Sequence, residues 1–163
     1  MTQIRKVMVF GTFDILHAGH ENMFKQAREL GGYIIAVIAR DSTVKKIKGR
    51  ATINNESQRI KNLKKTELID KIVLGDENDK YFAIKKYRPN IIALGYDQFA
   101  FTYGIKSLII QLKLDASIHR LKPYRPDVYK SSLIAKRIHS GIIKKEIKTT
   151  IYENQGEQLL CDA

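Results

Sequence analysis

Short apolar runs and amphipathic stretches alternate along the chain. IRKVMVF (4–10) is β-branched, ends at Gly11 and predicts a buried strand. Residues 18–30 then place Met23, Phe24, Ala27 and Leu30 at helical spacing, and Gly31-Gly32 closes that helix. YIIAVIA (33–39), IDKIVLG (69–75), NIIALG (90–95) and the weaker ASIHRL (116–121) predict four further strands. Helices are predicted over 56–65, with Ile60 and Leu63 inward, and over 81–87, halted before Pro89. Two more are predicted over 105–114, with a Leu108-Ile109-Leu112 face, and over 131–138. Residues 39–50 read as a basic loop. Strands alternating with helices mean βαβ units, so the expected fold is α/β: a doubly wound, parallel, five-stranded, Rossmann-like sheet. Residues 1–141 make that domain; 142–163 have no clear place in the sheet and read as a C-terminal extension or tail.

Doubly wound sheets bind ligands at the carboxyl ends of their strands. The decapeptide GTFDILHAGH (11–20) follows the first strand and is the most informative of those loops. Gly11 allows a tight exit and a close backbone approach to a ligand. His17 and His20, three apart, project from one side of a starting helix, and Gly19 leaves room between them. A helix N-terminus favours phosphate through its free N–H groups and dipole. Two histidines by themselves are more often structural than catalytic. A metal site with Asp14 as third ligand is a second reading, but the spacing is not i, i+4 and Ala18 stands where a zinc protease has Glu. Neither G-x-G-x-x-G nor a P-loop is present.

Composition narrows the class. A chain of 163 residues, 44% hydrophobic and 28% charged, suits one globular domain. No stretch approaches ~20 apolar residues, so membrane insertion is not expected. The N-terminal apolar run is too short for a secretory signal, and the one Cys, Cys161, can form no internal disulfide; cytoplasm is the expected location. The net charge is +12. Residues 40–65 and 120–148 each hold nine Lys or Arg against two acids, which favours an anionic partner. No DNA- or RNA-binding motif accompanies that charge, and the clusters fall on loops of the ligand edge, so phosphorylated small molecules are expected before nucleic acid. A non-catalytic nucleotide- or nucleic-acid-binding module is the rival class. Tyr96, Tyr103 and Tyr129 read as packing residues, and His119 and His139 as structural.

Four blocks occur in order: Gly-Thr-Phe-Asp at 11–14 leading into His17-Ala18-Gly19-His20, then ARDSTVKKIKGR with Arg59 beyond it, then LGYDQ, then Tyr129-Lys130-Ser131-Ser132. Over residues 4–140 the chain thereby resembles the cytidylyltransferase-like (H-x-G-H) nucleotidyltransferase superfamily, and two of its branches in particular. One is the archaeal-type FAD synthases, which are FMN adenylyltransferases. The other is the glycerol-3-phosphate cytidylyltransferases, whose last-helix signature is here replaced by Arg-Pro-Asp-Val-Tyr-Lys-Ser-Ser. Of the C-terminal cysteines associated with the first branch, only Cys161 has a counterpart. The resemblance implies transfer of a nucleoside monophosphate from ATP or CTP to a phosphate monoester, with release of pyrophosphate. It is most like FMN adenylyl transfer, with CTP:glycerol-3-phosphate cytidylyl transfer as the alternative.

Site roles follow from the same resemblance. His17 and His20 would stabilise the pentacovalent α-phosphorus, and Lys46 would bridge nucleotide and acceptor phosphates. Gly11, Thr12, Phe13, Asp14, Gly19, Gly95 and Asp97 would hold the nucleotide, with Ser131 and Ser132 on its β- and γ-phosphates. Lys48, Arg59 and Lys130 would bind the acceptor or pyrophosphate. Magnesium would come with the triphosphate, with Asp14 as its candidate ligand; no tightly bound organic cofactor is implied. Relatives of this kind are often homodimers.

Overall fold

Alternation along the first strand sets the architecture. In β1 (Lys6–Gly11) Val7 and Val9 face one core, and Met8 and Phe10 face another. A strand buried on both faces needs helices above and below it. The computed structural model describes residues 4–99, 102 and 104–141. The other strands are β2 (Tyr33–Ile38), β3 (Lys71–Leu74), β4 (Ile91–Leu94) and β5 (Ser117–Arg120). Every pairing is parallel and the order is β3-β2-β1-β4-β5. The chain winds outward from β1 to β3, then crosses to β4 and β5. The order therefore reverses between β1 and β4, where such sheets open a ligand crevice.

Among the described residues six helices complete the layers: α1 (Ala18–Leu30), α2 (Asp41–Lys48), α3 (Glu56–Lys64), α4 (Phe82–Tyr87), α5 (Ile105–Gln111) and α6 (Ser131–His139). Phe24 and Ala27 of α1 and Leu63 of α3 close the core under Val7 and Val9. Ala83 and Ile84 of α4, with Ile105 and Leu108 of α5, close the opposite core. Burying a side chain of Phe24's size contributes roughly 1.5–3 kcal/mol, so these positions fix which face each helix turns inward. α6 stands apart from both. Its Ile134, Ala135 and Ile138 pack on Ile15 of the first loop, against Ile53. A cluster that includes Ile15 ties the start of α6 to the decapeptide.

The expectation of a loop over 39–50 is corrected, because Asp41–Lys48 is helical. Gly49 ends the helix in the left-handed conformation at φ 66°, with its N–H on the Lys45 carbonyl. The helix exposes its lysines and buries only Val44, too narrow an apolar face to stand out among charges. No described helix is long and apolar enough to cross a membrane. The expected extension over 142–163, with Cys161, and Tyr103 lie outside the described residues.

Candidate active site

The first loop turns back on itself beside the switch in strand order. Phe13 takes φ 51°, an unusual conformation for a residue with a side chain, and folds its ring over Gly11. A Cβ on Gly11 would sit 2.6 Å from that ring, so the glycine is what admits it. Phe13 meets His20 edge-on at 5.4 Å between ring centres. His20 stacks on His17 at 3.9 Å with 26° between the planes. Gly19 makes this possible, since a Cβ there would approach His17 Nδ1 to 2.9 Å and Tyr129 Cβ to 3.2 Å. The series of rings continues through Tyr129 at 6.2 Å and then Tyr124 at 5.8 Å. Tyr129 is buried. His17 occupies the N-cap of α1 without capping it through its side chain. Its Nε2 instead hydrogen-bonds Ser131 Oγ at 3.1 Å, at the start of α6.

Both imidazoles are neutral near pH 7. Burial lowers the His17 pKa to about 4. His20 is held well below the ordinary imidazole value by burial first, then by repulsion from His17 and Lys48. The Nδ1 atoms of both rings are buried and have no hydrogen-bond partner among the described residues. Lys48 reaches over from α2 and donates to Thr12 Oγ1 at 3.1 Å. Burial, then the charge of Arg50, lowers its pKa, while Asp14 and Asp97 pull the other way.

A histidine depressed on folding stabilises fully above its unfolded pKa, and that contribution is lost as pH falls through the folded value. For His17 the window runs from 6.5 down to about 4. The shift is worth about 3 kcal/mol over that span. The melting temperature of the protein is therefore expected to drop on acidification through this window, and to drop less in His17→Asn. Parallel curves for the two proteins would contradict the burial of a neutral His17.

A polar frame holds the loop from behind. Asp14 accepts from the backbone N–H of Ile53 at 2.8 Å and of Asn54 at 2.7 Å, one on each carboxylate oxygen. Asn54 Nδ2 returns a bond to the Asp14 carbonyl at 2.7 Å. Arg59 has no exposed surface. It donates to the carbonyls of Thr12 at 2.6 Å, Ala39 at 2.7 Å and Asn54 at 3.2 Å, and to Asp41 at 2.7 Å. Asp41 and Glu56 cap each other's helices, since each carboxylate accepts the other's backbone N–H at 3.0 Å. Burial pushes the Asp41 carboxyl up, yet bonds from Arg59, the Glu56 amide and Thr52, with the Arg59 charge, hold it below the usual range.

This frame changes two roles expected from the sequence. Arg59 cannot receive the acceptor or pyrophosphate where it lies, because its guanidinium is enclosed and faces carbonyls of the frame. Asp14 uses one acceptor site of each oxygen to brace the loop, and no group of three His, Cys, Asp or Glu side chains among the described residues could hold a metal. The residues present therefore do not build a protein cage for magnesium. Lys46 is exposed on α2, well round the helix from Val44, and it is Lys48 that reaches the first loop.

On the other side of the switch point, Gly95 and Asp97 follow β4, with Asp97 exposed. Ser131 and Ser132 open α6, with Lys130 at its N-cap. The structure thus gathers Thr12, Phe13, His17, Gly19, His20, Lys48 and Ser131 at the carboxyl edge of the sheet. Gln98 and Tyr124 were not singled out from the sequence. A glutamine in a loop and a tyrosine between prolines carry no periodic signal.

Paired imidazoles and a lysine beside the first loop, at the carboxyl edge of a parallel sheet, suit an enzyme that works on phosphates. The model of the Cytidylyltransferase-like family matches residues 8–146, and the chain belongs to that family. It is 39% identical over 142 residues to the FAD synthase of Thermococcus sibiricus, covering 85% of this chain and 96% of the relative. It is 40% identical over 135 residues to the FAD synthase of Pyrococcus abyssi, covering 82% and 91%. Among solved structures, a lipopolysaccharide core biosynthesis protein from Thermoplasma volcanium superposes with a TM-score of 0.69 at 34% identity, over 75% of this chain and 99% of that one. A pantoate-beta-alanine ligase from Francisella tularensis shares the fold at a TM-score of 0.55 and 16% identity, over 98% and 79%.

Proposed function

We propose that this chain transfers AMP from ATP to the phosphate of FMN, forming FAD and releasing pyrophosphate. The observation that carries the reading is the stacked, neutral His17–His20 pair beside Lys48 and Ser131, in a chain 39–40% identical to FAD synthases over most of its length. An FMN phosphate oxygen attacks the α-phosphorus in line, and the bond from that phosphorus to the β-phosphate bridge oxygen breaks. The attacking oxygen is already anionic, so no strong base is needed. The difficulty is bringing two anions together while charge grows on the leaving group. Imidazole N–H groups of His17 and His20 donate to the α-phosphate oxygens, where a neutral donor costs no proton. Lys48 supplies charge beside them. Ser131 and Ser132 take the β- and γ-phosphates at the start of α6, while the backbone of Gly11, Thr12 and Phe13 lies under the triphosphate. Gly95 and Asp97 sit beside the nucleoside, and Lys46 and Lys130 guide the acceptor from the rim. A divalent metal brought with the triphosphate would supply charge neutralisation there, with Asp14 beside the first loop as its candidate side-chain neighbour. A homodimer, a cytoplasmic location and a domain ending at 141 belong to the same reading.

The test is product formation from each donor with each acceptor. FAD and pyrophosphate are expected from ATP with FMN. Pyrophosphate solely from CTP with glycerol 3-phosphate would replace the reading by cytidylyl transfer. Salt-dependent DNA binding with no pyrophosphate from any pair would replace it by a binding module.

A further inference from the structure

The two ladders of β1 end at different places. β1 stays paired with β2 as far as Gly11 and Ile38, but with β4 only as far as Val9 and Ala93. Beyond that pair the backbones of β1 and β4 are no longer joined by strand hydrogen bonds, and a side chain spans the gap. Gln98 Oε1 accepts the Gly95 N–H at 2.9 Å, and Gln98 Nε2 donates to the Phe10 carbonyl at 2.6 Å. The Gln98 backbone N–H closes the turn onto the Gly95 carbonyl at 3.1 Å. Arg120 then donates to the carbonyls of Gly95 at 2.9 Å and Gln98 at 3.3 Å, with its guanidinium over the Phe99 ring at 4.5 Å. Gly95 leaves space for the amide, because a Cβ there would lie 3.3 Å from Gln98 Cδ.

Few side chains could do this. Glutamate would turn an oxygen towards the Phe10 carbonyl, asparagine is one methylene short, and leucine has neither a donor nor an acceptor. The bridge fixes the whole turn 95–98 to β1, and Asp97 is carried on it, opposite Lys48. We propose that Gln98 is a positioning residue that sets the width of the β1–β4 crevice and so seats the nucleoside half of the nucleotide. This rests on the reading that the nucleotide binds across that crevice with its phosphates over α1. Gln98 touches neither the imidazoles nor Ser131, so the phosphate half should not depend on it.

The experiment compares ATP, AMP and tripolyphosphate binding to wild-type protein and Gln98→Leu by calorimetric titration, with steady-state kinetics alongside. Gln98→Leu removes both side-chain bonds, and a turn that thereby forfeits the equivalent of one hydrogen bond to the nucleoside corresponds to about a tenfold change. AMP and ATP are expected to bind about tenfold more weakly, with KM for ATP rising in step, kcat nearly unchanged and tripolyphosphate affinity unchanged. Gln98→Glu keeps the acceptor for the Gly95 N–H but sets an oxygen against the Phe10 carbonyl, and should give the same split if Gln98→Leu does not fold. Equal weakening of all three ligands, or unchanged AMP affinity in a folded variant, would overturn the proposal. Unchanged AMP affinity in a variant whose parent makes FAD would overturn it alone. A wild-type protein that binds none of the three would take the functional reading down with it.

Discussion

Replacing His20 by alanine is expected to lower kcat for pyrophosphate release by ~10²–10³, the usual cost of losing one donor aimed at transition-state charge. His17→Ala should lose at least as much, because it also frees Ser131 from its bond to Nε2. The loss should appear in kcat and in kcat/KM alike, since the donors act where charge develops rather than on the ground-state nucleotide. Both variants should stay folded. The rings are neutral, and their Nδ1 atoms have no hydrogen-bond partner among the described residues that truncation would strand. Single-turnover assays with saturating ATP and FMN, and circular dichroism on the same samples, read both halves. Turnover within a few-fold of wild type in either variant would remove the imidazoles from the mechanism.

Asp41→Ala is the largest expected effect on stability, although Asp41 itself is partly exposed. Its partner is not, since the Arg59 side chain is fully buried and Asp41 is the one carboxylate paired with it among the described residues. Removing the carboxylate leaves the buried guanidinium on its three carbonyls alone; with Asp41 40% exposed, the cost is discounted to about 1–3 kcal/mol. The bond from the Glu56 N–H to the Asp41 carboxylate would go as well, leaving the start of α3 one acceptor short, while the residue 41 N–H keeps its bond to Glu56. Asp41→Asn keeps an acceptor for Arg59 and should fall between the two. Urea unfolding measures this directly; a difference under about 1 kcal/mol between wild type and Asp41→Ala would show that the frame relaxes around Arg59. Because α2 carries Lys48 to Thr12, turnover should fall with it even where the protein remains folded.

Much of the fold could be read from periodicity. Val7, Val9, Met8 and Phe10 alternate within one short run, which suits a strand covered on both faces, and Phe24 and Ala27 repeat at helical spacing. Parallel pairing follows from the intervening helices. The region 39–50 escaped periodicity because its two apolar residues, Val44 and Ile47, stand among lysines in a short helix, and only Val44 is buried. What remained legible there were Asp41 at the start and Gly49 at the end, the marks of helix termini rather than of a core. Arg59 shows a different limit. A lone arginine in a polar helix looks identical whether it faces water or three carbonyls, and its burial is decided by Asn54 just before its own helix and by Thr12 and Ala39 from distant segments. Gln98 was hidden for the same reason, because its partner Phe10 lies 88 residues away.

The sequence by itself determined the five strands and five of the six described helices, the two-sided burial of the sheet and the histidine pair on one side of a helix start. Those features depend on residues close together in the chain, where spacing and side-chain type suffice. Tertiary structure alone decided that His17 is buried and both imidazoles are held neutral, that Lys48 rather than Lys46 meets the first loop, and that Arg59 and Asp14 brace the frame behind it. Each of these depends on which distant backbone groups remain unpaired once the sheet has closed, and only the packed chain fixes that.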